Sequence, residues 1–339
     1  MLSNIKISFC MPTRNRANFI GDALESILSQ ADDNIEIVIV DGASTDNTAE
    51  VVRNYQNKFK NIVYKRLEKN GGVDRDMGRV IELARGEYCW LLTDDDALKP
   101  GAIDRMLKEI QSGYSIYLCN IKFCDVHLRP IRDRYWLSIN VQDKVFNLQN
   151  RDEMIEYCNK ANSIGALFSY WSSIVLRREE WAVKGFIEEF DGSAYALAAS
   201  LLSFLKRQCS LKYIRDPLIL WRADNVSFQN EGGLVKRFLL DFDGYSRLAN
   251  KYLADDKEVE AAFLKVMTRE HPWYTIINVS AHITDLKQWE QFKRKMLKFG
   301  YEPGILNICY ALGRFKTLVS VAVTIKRKIL RIHWSNRIK

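Results

Sequence analysis

Three continuous apolar runs in the first hundred residues, each closed by a polar or glycine-bearing turn, restrict the fold of this chain more than any other feature. Residues 5–11 (IKISFCM), 35–40 (IEIVIV) and 87–92 (EYCWLL) lack the apolar–polar alternation of a half-exposed strand, so they read as strands buried on both faces. A shorter strand is expected over 62–66. Between them lie helical patterns. Phe19, Ile20, Ala23, Leu24, Ile27 and Leu28 recur at helical spacing within 17–30. A helix over 45–55 is expected to start on Ser44 or Thr45 as a side-chain cap. Another runs over 76–84 after the Gly71-Gly72 break, and a fourth opens at Pro100-Gly101 and continues through Ile110. Strand and helix in this rhythm predict an α/β fold with a mostly parallel sheet flanked by helices. Ligands meet such sheets at the carboxyl ends of the strands.

Beyond residue 115 the pattern is mixed up to about 222, with short strands over 116–120, 173–176 and 212–214 around a helix over 194–207. From Gly233 onward it is mainly helical. Two regions follow, 1–225 and 226–339. The seven cysteines are scattered without a CxxC pair, and several sit inside apolar runs. This reads as a reducing compartment with neither a disulfide framework nor a zinc site. No secretory signal is visible, and no apolar run approaches the ~20 residues that span a bilayer.

The net charge of +8 is concentrated at one end, since 303–339 holds eight basic residues and no acid. There Phe315, Leu318, Val319, Ala322, Ile325, Ile329, Ile332 and Trp334 recur at intervals of three and four for most of the length. The expectation is a basic amphipathic helix on an anionic membrane surface; the bland alternative is a C-terminal helix packed on its own domain. Nucleic acid is not an expected partner, because a nucleic-acid-binding domain spreads its basic patch over a folded face.

Two motifs carry chemistry. Thr93-Asp94-Asp95-Asp96 follows the run EYCWLL directly. Adjacent carboxylates at a strand end repel one another unless a cation or hydrogen bonds offset them. Such hard oxygen ligands suit Mg²⁺ or Mn²⁺ bridging to substrate phosphates. The alternative is an acidic turn capping the next helix. The second motif, Val40-Asp41-Gly42-Ala43-Ser44-Thr45-Asp46, presents Asp41 where the chain turns at glycine. It also reads as an ordinary strand-to-helix turn.

Together, residues 7–16 (ISFCMPTRNR), 37–48 (IVIVDGASTDNT) and 84–101 (ARGEYCWLLTDDDALKPG) closely resemble the inverting family-two glycosyltransferases of GT-A fold. The resemblance is good over 5–110 and weak to about 225. It implies a nucleotide-binding half over 1–110, an acceptor-binding half over 111–225, and a nucleotide-diphospho-sugar donor with a glycan or lipid-linked acceptor. Carried over position by position, Pro12, Thr13 and Asn15 border the nucleotide pocket, Asp41 accepts from the base, and Asp94 lies by the ribose. Asp95 and Asp96 hold Mn²⁺ or Mg²⁺, and Arg75 and Arg222 meet the diphosphate.

There are three departures from the family pattern. Thr93 stands where an aspartate is usual, and Asp76-Met77-Gly78 replaces Ala-Arg-Asn. The Glu-Asp that usually supplies the base falls on Ala196-Leu197, so Asp191 becomes the candidate for deprotonating the acceptor hydroxyl, ahead of Glu188 or Glu189. The GGVDRD stretch and residues 202–222 look like the abequosyltransferase-like branch, which implies deoxyhexose transfer in bacterial surface-polysaccharide assembly. The implied location is cytoplasmic, on the inner face of the membrane. The competing readings are a degenerate sugar-nucleotide-binding module, kept alive by the missing Glu-Asp, and a nucleotidyltransferase, disfavoured because residues 11–16 hold no glycine. An oxidoreductase lacks the GxGxxG after its first strand.

Overall fold

A computed structural model describes residues 5–206, 209–223 and 233–315. The chain divides into two compact units, Met1–Asp224 and Asn225–Lys339.

The first unit begins with β1 (Ile7–Thr13), α1 (Ile20–Leu28), β2 (Ile35–Asp41), α2 (Thr48–Gln56), β3 (Ile62–Arg66), α3 (Val73–Leu83), β4 (Tyr88–Leu91), β5 (Ala97–Leu98) and α4 (Ala102–Glu109). It continues with β6 (Ile116–Cys124), β7 (Pro130–Arg134), β8 (Lys144–Asn147), α5 (Arg151–Lys160), β9 (Ile174–Arg177), α6 (Arg178–Lys184), α7 (Ala196–Ser203) and β10 (Ser210–Arg222). All ten strands form one sheet, whose main path runs β3-β2-β1-β4-β9-β6-β10-β5.

β1, β2, β3 and β4 are mutually parallel. β9 is antiparallel to both β4 and β6, so β6 points the same way as β4, and β10 runs parallel to β6. The two reversals cancel. The carboxyl ends of β1, β2, β3, β4, β6 and β10 therefore line one edge of the sheet, although β5, β7, β8 and β9 run against them.

The core strands are as apolar as their sequences suggested. β1 and β2 are buried at every residue, and Phe9 stacks on Trp90 with ring centroids 5.2 Å apart. A buried aromatic pair of this geometry adds about 1 kcal/mol beyond its area burial. Glu36, fully buried in β2, is matched by Ser8 Oγ at 2.6 Å and by Arg85 Nε at 2.8 Å.

The differences from expectation have local causes. β1, whose apolar run covers 5–11, continues through Pro12 to Thr13. Pro12 shares its parity with Cys10, whose carbonyl accepts from Leu92 on the β4 side. β4 has ended by then, so the missing N–H of proline leaves no ladder acceptor unmet. α2 begins at Thr48, and Asp46 rather than Ser44 or Thr45 accepts from its first amide (Thr48 N, 3.0 Å). β10 is one thirteen-residue strand that takes in both the strand expected over 212–214 and the strand-like PLIL of 217–220. Its interior Asp216-Pro217, a turn-like pair in sequence, is absorbed as a register shift against β6. Residues 151–160, within the stretch of mixed pattern, form α5 on the Asn150 cap, whose side chain accepts from Asp152 and Glu153 amides at 3.0 Å each.

The second unit contains α8 (Gly233–Tyr252), α9 (Lys257–Glu270), α10 (Trp273–Ser280), α11 (Leu286–Leu297) and α12 (Pro303–Gly313). α12 buries Leu306, Cys309 and Gly313, and Tyr310 stacks on Trp289 at 4.4 Å. Its neighbouring stripe, Ile305, Ile308 and Leu312, is exposed. The basic helix expected over 315–338 lies outside the described residues except for Phe315. Among the described residues no helix is long and apolar enough to cross a membrane.

Candidate active site

The carboxyl-end edge gathers three loops. The first two are stitched together across the end of β1 and β2. Asn15 donates its amide to Ser44 Oγ (2.9 Å) and accepts from Thr45 N at its side-chain oxygen (2.7 Å). Arg16 N donates to Thr48 Oγ1 at 2.8 Å, and Ala17 N to Asp46 at 3.1 Å. Asn15 and Ala43 both hold a left-handed backbone (φ 54° and 62°), which Asn tolerates better than most residues. Gly42 is closely approached here: a Cβ would come within 2.8 Å of Asp76 Oδ2 from α3, so a larger residue would displace that carboxylate.

Asp41 ends β2 fully buried, with Oδ1 accepting from Ser44 N (2.7 Å) and Oδ2 from the Tyr64 hydroxyl (2.6 Å). Burial, together with the adjacent Asp41 carboxylate, raises the Tyr64 phenol pKa far above its ordinary value, so the tyrosine stays a donor. Pro12 and Thr13 are buried in the strand itself, while Asn15 is exposed in the loop above.

The third loop follows β4 and carries the acid triplet. Each member is held differently. Asp94 is buried and pairs with Arg16 Nε at 3.3 Å. Asp96 is buried with both oxygens engaged: Oδ2 accepts from Thr93 Oγ1 (2.5 Å), Ser172 Oγ (2.6 Å) and the Tyr170 hydroxyl, and Oδ1 from the Arg222 amide (3.2 Å). Asp95 is half-buried between them, and its backbone carbonyl accepts from Arg222 Nε at 2.7 Å. Burial first, and the Asp95 charge second, push Asp94 up to about 7 against the pull of Arg16. The same two causes push Asp96 to about 7 against its hydroxyl donors. Burial beside the Asp95 charge thus shifts both flanking carboxyls toward their neutral forms.

Arg222, expected to meet a diphosphate, is committed to protein acceptors. Its side chain is 3% exposed and bonds Asp95 O, Val126 O (2.5 Å) and Asp22 Oδ2 (2.7 Å), with the guanidinium over the Phe19 ring. One arginine therefore ties the β4 loop, the end of β6 and the start of α1. Asp96, expected as a metal ligand, likewise holds the fold: four donors occupy its carboxylate. Among the described residues no three His, Cys, Asp or Glu side chains converge into a protein-only metal cage.

Arg75 and Asp191, assigned on sequence to different roles, meet directly. Arg75 Nε donates to Asp191 Oδ2 and Nη2 to Glu188 Oε2, each at 2.6 Å. Arg75 sits in the first turn of α3, which starts at the carboxyl end of β3, so the pair lies on the same edge as the triplet. Beneath it Asp74, 3% exposed, accepts from Ala194 N at 3.0 Å. This contact organises the tight segment 191–194, where Gly192 and Ala194 are both left-handed (φ 71° and 66°). Burial raises Asp74 to about 6, opposed by the loop amides and reinforced by Asp191.

Sequence reading missed Asp74, Arg16, Tyr170 and Ser172. Arg16 lay inside a quoted motif. Tyr170 and Ser172 sit more than 70 residues from the triplet they support, just ahead of the antiparallel β9 that pairs with β4.

Residues 8–171 match the sequence signature of glycosyl transferase family 2. Across 333 aligned residues the chain is 34% identical to abequosyltransferase RfbV of Salmonella typhimurium, spanning 96% of this chain and 99% of that one. Its fold is similar to TarS of S. aureus solved with UDP-GlcNAc (TM-score 0.63, 19% identity, 87% of this chain and 80% of that one). It is also similar to the mannosyltransferase PcManGT of Pyrobaculum calidifontis solved with GDP-Man and Mn²⁺ (TM-score 0.52, 13% identity, 93% and 86% covered).

Proposed function

The chain belongs to glycosyl transferase family 2 and is a glycosyltransferase of GT-A fold; from that premise we propose that it moves a sugar from a nucleoside-diphosphate donor to a glycan or lipid-linked glycan acceptor, with inversion, in bacterial surface-polysaccharide assembly. The near full-length similarity to an abequosyltransferase favours a deoxyhexose as the transferred sugar. The observation that carries the reading is the locked triplet: Arg16, Arg222 and the Thr93–Tyr170–Ser172 hydroxyls fix its flanks while Asp95 stays half-buried at the edge where the parallel strands end.

In this reading the stitched loops of β1 and β2 form the nucleotide pocket. Asp41 lies under its floor and acts on the base through the groups it positions, Ser44 and Tyr64, because its own carboxylate is buried. Asn15 fixes the wall, with Pro12 and Thr13 behind it, and Asp94 with Arg16 borders the ribose.

A divalent cation would be held by Asp95 together with substrate phosphate oxygens, as Mg²⁺ and Mn²⁺ commonly allow. When bound, such an ion supplies Lewis-acid neutralisation of the departing diphosphate. Asp96 serves to hold Asp95 in place. Asp191 receives the proton of the acceptor hydroxyl as its oxygen forms the new bond to the anomeric carbon, and the bond from that carbon to the diphosphate breaks. Arg75, paired to Asp191 and Glu188, aims the base; it is not assigned to the diphosphate.

The exposed apolar stripe of α12, leading into an acid-free basic C-terminus, supports peripheral contact with an anionic membrane on the cytoplasmic side. The experiment that tests the donor assignment is thermal stabilisation by UDP-, dTDP-, CDP- and GDP-sugars, each with and without Mn²⁺. Metal-dependent stabilisation by one nucleotide class is expected. No stabilisation by any of them makes the triplet a structural turn and the site a degenerate one.

A further inference from the structure

The same edge of the sheet carries an aromatic group whose ring surfaces have no role above, although the Tyr170 hydroxyl holds Asp96. Trp221 and Phe123 are in-register neighbours at the carboxyl ends of β10 and β6, and Arg132 on β7 is the cross-strand partner of Phe123. The Phe123 and Trp221 rings meet edge to face at 4.8 Å, and Tyr170 meets Trp221 at 5.8 Å. Arg132 lies over Phe123 at 5.3 Å, and Arg134 spans Trp136 (5.3 Å) and Trp221 (5.7 Å). Phe123, Trp221 and Tyr170 all retain solvent exposure, and Arg132 is exposed.

Three features separate this group from an ordinary extension of the core. It is adjacent to the acid triplet, since the Tyr170 hydroxyl donates to Asp96 and Trp221 precedes the Arg222 that grips Asp95. It sits on the half of the sheet away from the nucleotide loops, with β9 between β4 and β6. It also combines accessible ring surface with two guanidinium groups in one row.

Ring faces carry partial negative charge and attract the polarised C–H bonds on the apolar face of a sugar, while guanidinium forks bind phosphate or carboxylate in two-pronged fashion. We propose that Phe123, Trp221 and Tyr170, with Arg132 and Arg134, form the acceptor subsite, and that it takes a saccharide ring bearing an anionic group, phosphate or carboxylate, next to that ring. The inference rests on the glycosyltransferase reading and adds the chemical class of its acceptor. The ring lies on the aromatic row, and the anion pairs with the arginines on its outer side.

The test uses the full chain and three probes: glucose 1-phosphate (ring and anion), methyl glucoside (ring alone) and inorganic phosphate (anion alone). Binding is read by saturation-transfer NMR and titration. Glucose 1-phosphate is expected to show saturation at its ring protons and to bind about tenfold or more tightly than either fragment. F123A and R132A are each expected to weaken it about tenfold. Arg132 is exposed on an edge strand, so R132A keeps the test valid if F123A fails to fold. Unchanged affinity in R132A, or displacement of the sugar phosphate by the nucleoside diphosphate that stabilises the protein, overturns the proposal. Nucleotide stabilisation, measured on the same samples, is a separate readout: its absence in the unmodified chain defeats the donor assignment, whatever the sugar phosphate does.

Discussion

The guanidinium of Arg222 donates to the backbone carbonyl of Asp95 at 2.7 Å, while the amide of the same arginine donates to the Asp96 carboxylate at 3.2 Å. A residue of the last central strand thereby fixes the main chain of the acid triplet more than 120 positions earlier in sequence. Removing one partner of a buried charged network costs about 3–5 kcal/mol, and near 2–4 °C per kcal/mol for a domain of this size. Arg222→Ala is therefore expected to lower the melting temperature by roughly 6–20 °C. A variant that keeps its melting temperature and loses donor affinity returns Arg222 to the diphosphate.

Asp95 and Asp96 separate by the same logic. Asp95→Asn is expected to abolish Mn²⁺-dependent nucleotide stabilisation. Asp96→Asn leaves the Thr93, Ser172 and Tyr170 hydroxyls competing around a neutral group, so it is expected to lower stability by about 1–3 kcal/mol. Melting curves with and without Mn²⁺ and nucleotide distinguish the two. Equal loss of metal response without destabilisation in both variants makes Asp96 a ligand.

Asp191→Asn tests the base. General-base removal lowers turnover by about 10²–10⁴-fold, with donor stabilisation unchanged. Arg75→Lys keeps the charge but loses the two-pronged hold on Asp191 and Glu188, and is expected to lower kcat while leaving the donor KM near its original value. A rise in donor KM alone assigns Arg75 to the diphosphate instead.

Asp74 gives a pH signature. Its folded pKa is raised to about 6, mainly by burial, from an ordinary 3.8. A raised carboxyl favours the folded state while protonated, so its contribution is full below about pH 4 and is lost as pH rises through about 6. A shift of about two units corresponds to ~3 kcal/mol. Asp74→Asn removes the titration, so the melting temperature of the variant minus that of the parent is expected to become more positive from pH 4 to pH 7. A difference independent of pH contradicts the assignment.

Membrane contact is tested by co-sedimentation with phosphatidylglycerol and phosphatidylcholine vesicles. Each basic residue near an anionic surface contributes about 1 kcal/mol, so binding to the anionic vesicles only, weakening with salt, is expected. Replacing Ile305, Ile308 and Leu312 together by serine is expected to reduce it. Retained binding in that variant confines the contact to residues beyond 315.

The sequence by itself determined the strand–helix rhythm, the buried strands and the positions of the polar loops, because burial on both faces demands continuous apolar runs and glycine or aspartate must end them. It also located the triplet, because adjacent carboxylates at a strand end are conspicuous in any chain. What it did not reveal was how those carboxylates differ. Asp94, Asp95 and Asp96 look equivalent as letters, yet one pairs with Arg16, one takes four donors from its own loop and two distant segments, and one is half-buried. Arg75 and Arg222 likewise read as ligands for phosphate until the fold placed Asp191, Glu188 and Asp22 beside them. Periodicity and turn chemistry are local and survive in the sequence. The partner of a charge is chosen by tertiary packing across a hundred residues or more, and only the structure decided it.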